Sequence, residues 1–257
     1  MDHPKGLGDI GMSTMAVAGR VTEVSPRVKA RIAGFLYLII IVGGIFAQIG
    51  VRDRLVVNGD AAATAQNIVA HALLYRLGFT VEVFYLLCNI PLTLILYDLF
   101  KAVNKKVAKL VLFFSIVGTA VEGVSLLAHY APLVFLGTGS YLAAFTTAQL
   151  QAAAYLSLRM FDYGFMIALS FFGFFCISLA YLIFKSTFFP RFIGGLLAIQ
   201  GTLYLTNSFA HFVSPPVGAR VFPFLVVSGI AEVSFCLWLL VVGVNVQRWK
   251  EQAGQST

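Results

Sequence analysis

From Ile32 to Val51 the chain carries no charged residue, and a run of that length has few ways to fold. At a rise of about 1.5 Å per residue, about 20 apolar residues match the roughly 30 Å hydrocarbon core of a bilayer. A signal peptide has an apolar stretch of only about 7 to 15 residues followed by a small-residue cleavage site, so the run reads as a retained first span, Ile32 to Ile49. Five more stretches qualify: Leu77 to Leu99, Leu110 to Leu136, Phe161 to Phe184, Phe192 to Val213, and Phe222 to Val246. In lipid each backbone polar group must find its partner within the segment, which leaves the helix as the state for runs of this length.

Composition agrees. Of 257 residues 59% are hydrophobic and 11% charged, with a mean hydropathy of +0.88, and a soluble fold of this size could not hide so much apolar surface. The net charge of +7 raises the question of nucleic acid. The placement of the 18 Lys and Arg residues answers it: they fall between the apolar runs, which is the arrangement of a polytopic membrane protein and not of a basic patch. Thirteen lie on one side of the spans (Lys5, Arg20, Arg27, Lys29, Arg31, Lys101, Lys105, Lys106, Lys109, Lys185, Arg191, Arg248, Lys250) and five on the other (Arg52, Arg54, Arg76, Arg159, Arg220). The positive-inside rule then predicts both termini in the cytoplasm, and an odd number of spans would destroy the balance. Cys88, Cys176 and Cys236 each fall inside an apolar run and read as small buried hydrophobes.

The organisation expected is a largely disordered cytoplasmic segment over residues 1–30, a membrane domain over 31–247, and a cytoplasmic tail over 248–257. Two outer connections are long enough for a short helix. Asn58-Gly59 makes a turn and Asp60 is an N-cap for a helix from Ala61 to Tyr75, and a second outer helix runs from Thr146 to Leu158. Thr64-Ala65-Gln66 precedes Arg76 at the spacing by which Thr147-Ala148-Gln149 precedes Arg159, and Arg31-Ile-Ala-Gly34 echoes Arg191-Phe-Ile-Gly194. The predicted fold is therefore all-α: a polytopic membrane bundle of six transmembrane helices arranged as three hairpins, with two short outer helices.

The segment from Val57 through Asn58-Gly59-Asp60, Thr64-Ala65-Gln66-Asn67-Ile68 and on to Arg76-Leu77-Gly78 resembles the hallmark of a family of bacterial membrane proteins known as domain of unknown function 4386. The opening Ala30-Arg31-Ile32-Ala33-Gly34-Phe35-Leu36-Tyr37-Leu38 is similar to that family's first-helix pattern. The resemblance covers Arg31 to Val246. It implies a multi-pass protein of the bacterial inner membrane, and it brings no activity and no catalytic residue.

Ionisable groups inside the spans are the informative chemistry, because a charge at a helix centre costs about 2.5 to 3.5 kcal/mol even on insertion scales. Glu82 lies about 9 Å below Arg76, His129 about 10 Å from the outer end of the third span and Glu232 about 15 Å in, with Glu122 deepest. With Asp162 and His211 they are predicted to line a polar cavity opening outward that binds a solute or relays protons. A Glu and a His on neighbouring helices can equally bond each other and lock the bundle. His129, His211, Glu82 and Glu232 supply nitrogen and oxygen suited to zinc, and His129 with His211 could ligate haem axially, although no HExxH motif or close His pair is present. Asp60, Thr64, Asn67 and His71 follow helical spacing on the outer helix, and with Arg76 they form either a lid above the cavity or a capped helix with a wet face.

Three classes of function follow. The chain is a binding or transport protein for a small solute or protons, an intramembrane metal or haem enzyme, or an assembly protein without chemistry. No cofactor is identified by the sequence. Its partners are the lipid bilayer, a small molecule or ion, and an oligomeric copy where one forms. Phosphate loops, nucleophile motifs and nucleic-acid signatures are missing.

Overall fold

Helix starts in this protein coincide with residues whose side chains satisfy free backbone N–H groups. Ser25 accepts from Val28 N and is followed by Pro26, whose missing N–H costs nothing in a first turn. Asn104 accepts from Lys106 N and Val107 N at 3.1 Å each, and Thr146 with Gln149 forms a reciprocal capping box. The computed structural model describes residues 24–254, in which the regular elements are helices, with no strand among them. Residues 1–23 and 255–257, most of the predicted N-terminal segment and the end of the tail, lie outside the described residues.

The long helices are α1 (Pro26–Leu55), α3 (Ala72–Phe100), α4 (Lys105–Phe135), α5 (Thr147–Lys185), α6 (Arg191–Val213) and α7 (Pro215–Val242). Short α2 (Ala61–Ala70) precedes α3, and α8 (Val246–Gly254) follows α7. α1 runs through a π-helical stretch at Phe46–Arg52; α7 is built of α, 3-10 and π segments and stops where Gly243 takes φ +69. Five of the six, all but α6, are long and apolar enough to cross a membrane, the character of a membrane protein. Gln200, Thr202, Thr206, Asn207, Ser208 and His211 dilute the hydropathy of α6.

The predicted turn at Asn58-Gly59 is present: Asp60 N donates to Val57 O at 3.1 Å, and Gly59 adopts φ +83, a left-handed conformation in which a side chain is strained. The outer helices differ from expectation in extent. α2 stops at Ala70 because His71 leaves helical geometry, so residues 72–76 already belong to α3. The stretch from Thr147 is continuous with the following span and makes one 39-residue helix.

Contacts close these six helices into a ring in chain order. Lys29 reaches Asp98 (3.3 Å) while Arg52 reaches Glu82, so α1 and α3 are antiparallel. Asn89 bonds Ser115 and Thr119 between α3 and α4, and α4 meets α5 where Gly164 lies under Ser125. Gly173 and Gly201 bring α5 against α6, Gln200 bonds Glu232 between α6 and α7, and Gly34 on α1 receives Leu239 and Leu240 of α7. The end of the ring where α3 turns into α4 is filled by a core that includes Leu96, Leu99, Phe100, Val111, Ile183, Phe188, Phe189 and Leu239. α8 is pinned beneath it by Trp249 Nε1, which donates to Leu99 O at 2.9 Å.

Candidate functional site

The ring encloses a cavity of about 400 Å3, and each of the six long helices contributes to its wall. Most of the wall is apolar or aromatic: Ile40 and Ile41 of α1, Leu92 of α3, Phe165, Leu169 and Phe172 of α5, Leu197 of α6, Phe235 of α7. Two carboxylates break this surface. Glu122 of α4 accepts from Tyr85 Oη at 2.7 Å. Glu232 of α7 accepts from Gln200 Nε2 at 2.8 Å and from Tyr204 Oη at 2.5 Å. Each acid thus has neutral donors from a neighbouring helix, which is how an acid is accommodated in an apolar setting.

One wall is a polar seam between α3 and α4. Along α3 from its N-terminal end, Tyr75 Oη donates to His129 O, Glu82 meets His129, Tyr85 meets Glu122, Asn89 meets Thr119 and Ser115, and Thr93 meets Ser115. The α3 members recur at spacings of three, four and seven residues, which is one helix face. At its Tyr75 end the seam holds a closed charge cluster. Glu82, fully buried, receives His129 Nδ1–H on Oε2 at 2.5 Å and the Arg52 guanidinium on Oε1. Arg52 is also held by Gln48 Oε1, at 3.0 and 2.6 Å, and lies over the Phe161 ring at 4.9 Å, on which His129 stacks at 4.8 Å. Every strong group in this cluster is satisfied by another except His129 Nε2, which is buried without a partner among the described residues.

The sequence profile of a family described as a domain of unknown function (DUF4386) matches residues 32–243. The chain belongs to that family. No curated protein and no solved structure matches it. The matched region of this DUF4386 chain runs from the second turn of α1 to the glycine that ends α7, and so takes in the whole ring.

In this DUF4386 domain the six predicted site residues separate into distinct places. Glu122 and Glu232 line the cavity; Glu82 and His129 bind each other and Arg52 beside it. Asp162 pairs with Arg159 at 3.0 Å, each side chain a little under half exposed. His211 packs 5.7 Å from the Tyr163 ring and against Gly218 at the turn into α7. The shared outward-facing polar cavity of the sequence reading is therefore corrected to a mostly apolar chamber with two of the six acids and histidines on it. The metal reading gathered His129, His211, Glu82 and Glu232, but among the described residues no three His, Cys, Asp or Glu side chains are grouped to hold an ion. The haem reading pairs His129 with His211, and these lie in different surroundings, His129 between the Tyr75 and Phe161 rings and His211 beside Tyr163.

The outer-helix residues serve local structure, and none touches the cavity. Asp60 caps α2 through Ala63 N; Thr64, buried, bonds Val57 N, Val57 O and Asp60 O; Asn67 Nδ2 reaches Leu55 O. His71 Nδ1 sits against Asn67 O, and Arg76 is exposed at the start of α3. Sequence reasoning missed Arg52, Tyr85, Gln200 and Tyr204. In the sequence Arg52 reads as an outer-side charge; Gln200 and Tyr204, four apart inside a span, carry the signal of a polar helix face.

Proposed function

We propose that this DUF4386 protein crosses the bacterial inner membrane six times, as three hairpins with both termini in the cytoplasm, and binds or carries a small solute in the central cavity. The observation that carries the reading is the cavity itself: about 400 Å3, walled by six helices, with Glu122 and Glu232 as its carboxylates. A chamber of that size suits a small ligand, and mostly apolar walls with a few placed polar groups are what ligand sites use to combine affinity with orientation. The sixth crossing is supported by α6, whose 23 residues extend about 35 Å. Its Gln200, Asn207 and Ser208 are buried in the ring while Phe192, Ile199, Phe209 and Phe212 face outward, so the helix presents an apolar surface to lipid despite its polar content.

The Arg52–Glu82–His129 cluster supports a different role for those residues. A fully buried carboxylate between two cationic or imidazole groups joins α1, α3 and α4 and leaves no oxygen for a solute. It is a lock at one end of the ring, and the solute site is the chamber beside it.

A screen of small solutes by thermal unfolding of the purified protein tests the reading. A ligand of the chamber raises the unfolding temperature of the wild type, and Ile41→Trp, which fills the chamber, abolishes that rise while the ligand-free protein still unfolds cooperatively. A rise of equal size in the filled variant places the ligand elsewhere and overturns the proposal.

A further inference from the structure

The cavity reaches the surface of the ring along one edge. Its exposed lining residues are Ile45, Gln48 and Ile49 on α1 and Gly229 and Val233 on α7. These two helices touch near their inner ends, where Cys236 Sγ–H donates to Gly34 O at 3.4 Å and the Tyr37 and Phe235 rings lie 5.9 Å apart. A Cβ at Gly34 would come within 2.7 Å of Leu240 N, so the backbones are close there. About 15 Å further out along the antiparallel pair, Gly44 comes level with Gly229 and Ile230. A Cβ at Gly44 or Gly229 would meet nothing within 4 Å, and both glycines line the cavity, so its edge is open at this level. The gap faces sideways, between helices whose neighbouring surface residues Val42, Phe46 and Val226 are exposed and apolar.

Inside, acceptors are in surplus. Glu122 and Glu232 each use Oε1 to receive their donors, and among the described residues no hydrogen bond reaches either Oε2. Gln200 Oε1 is buried without a partner. Among the described residues no Lys, Arg or His lines the chamber. A guest that completes this site brings N–H donors and positive charge to the carboxylates, and an apolar body for the aromatic walls, whose ring faces also attract a cation.

Taking the chamber as the solute site, we propose that its ligand is a lipophilic amine, a cationic amphiphile, which passes sideways from the outer half of the bilayer through the window between Gly44 and Gly229. The ammonium bonds Glu122 or Glu232, and the apolar part stays in an environment continuous with the lipid it came from. Water need not be crossed at any point on this route, which is the advantage of a lateral window for a molecule that already partitions into the membrane.

The experiment uses the full chain in lipid nanodiscs and two fluorescent probes, a dansylated alkyl diamine with a free primary ammonium and its N-acetylated neutral counterpart. The ammonium probe is expected to bind, with the acetylated one at least about tenfold weaker, and Glu122→Gln with Glu232→Gln should reduce the first to the level of the second. Gly44→Leu combined with Gly229→Leu fills the window; it is expected to slow association and dissociation alike by about tenfold, leaving affinity near that of the wild type. The open space around both glycines lets these variants fold, and their unfolding midpoint serves as the check. Equal affinity for both probes overturns the amine as ligand class while the chamber stands as a binding site. Unchanged rates in the filled-window variant overturn the lateral route. Failure of the wild type to bind either probe overturns the chamber reading together with this one.

Discussion

Glu82 of α3 and His129 of α4 share a hydrogen bond of 2.5 Å between Oε2 and Nδ1, and both side chains are sealed within the ring. Arg52 occupies the other Glu82 oxygen. Removing the acid strands both partners, so Glu82→Leu is expected to cost about 3 to 5 kcal/mol. His129→Phe keeps a ring against Phe161 and leaves Glu82 with Arg52, so it costs less, about 1 to 3 kcal/mol. Reversible unfolding in mixed micelles measures both. Equal, near-zero losses would mean the cluster locks nothing.

The bond from Tyr85 to Glu122 makes a separate prediction. Tyr85→Phe removes the donor from a buried carboxylate and should destabilise by about 1 to 3 kcal/mol. Adding Glu122→Leu to Tyr85→Phe is expected to cost less than the sum of the two single changes, because no polar atom is then left stranded. A double-mutant cycle in the same micelles reads the coupling; strict additivity would contradict the pairing.

Two glycine pairs offer an internal contrast. A Cβ on Gly43 or Gly194 would press on neighbours at 3.2 Å, Val81 in the first case and Ala180 O and Ile183 in the second, whereas Gly44 and Gly195 have open space. Gly194→Leu should therefore destabilise by about 1 to 3 kcal/mol by overpacking. Gly195→Ala should stabilise by about 0.5 to 1 kcal/mol, since it restrains the unfolded chain without a clash. Unfolding midpoints that move in the same direction for both would refute the register of α5 against α6.

Six crossings can be separated from five by labelling with a membrane-impermeant maleimide on intact cells, in a background lacking Cys88, Cys176 and Cys236. Asn58→Cys and Ala219→Cys are expected to label from outside, and Lys106→Cys and Lys250→Cys only after permeabilisation. If α6 stayed on one side, Ala219→Cys would be protected and Lys250→Cys exposed.

Part of the candidate site was readable along the chain. Glu82, Glu122, His129 and Glu232 stood out because an ionisable residue within an apolar run is costly, and the structure puts all four in or beside the ring's interior. Their grouping was not readable. Glu122 and His129 are seven apart and share a face of α4, yet one faces Tyr85 and the chamber while the other turns to Glu82. Arg52 reads as a boundary charge in the sequence; it ends the π-helical stretch of α1 with its side chain on Glu82. Asp162 and His211, grouped with them in the sequence, have local partners, Arg159 and Tyr163.

Hydropathy and local capping chemistry act over a few turns, so the chain alone determined that it is helical, where its apolar runs lie, how the Asn58-Gly59 turn and the Asp60 cap form, and which groups lipid would reject. The closing of α7 onto α1, the cavity inside the ring, and the division of the acids between a lock and a chamber depend on contacts between residues far apart in sequence, such as Gly34 with Leu240. Side-chain periodicity says which face a residue occupies but not which helix it meets, and that choice belongs to the packing of the whole ring.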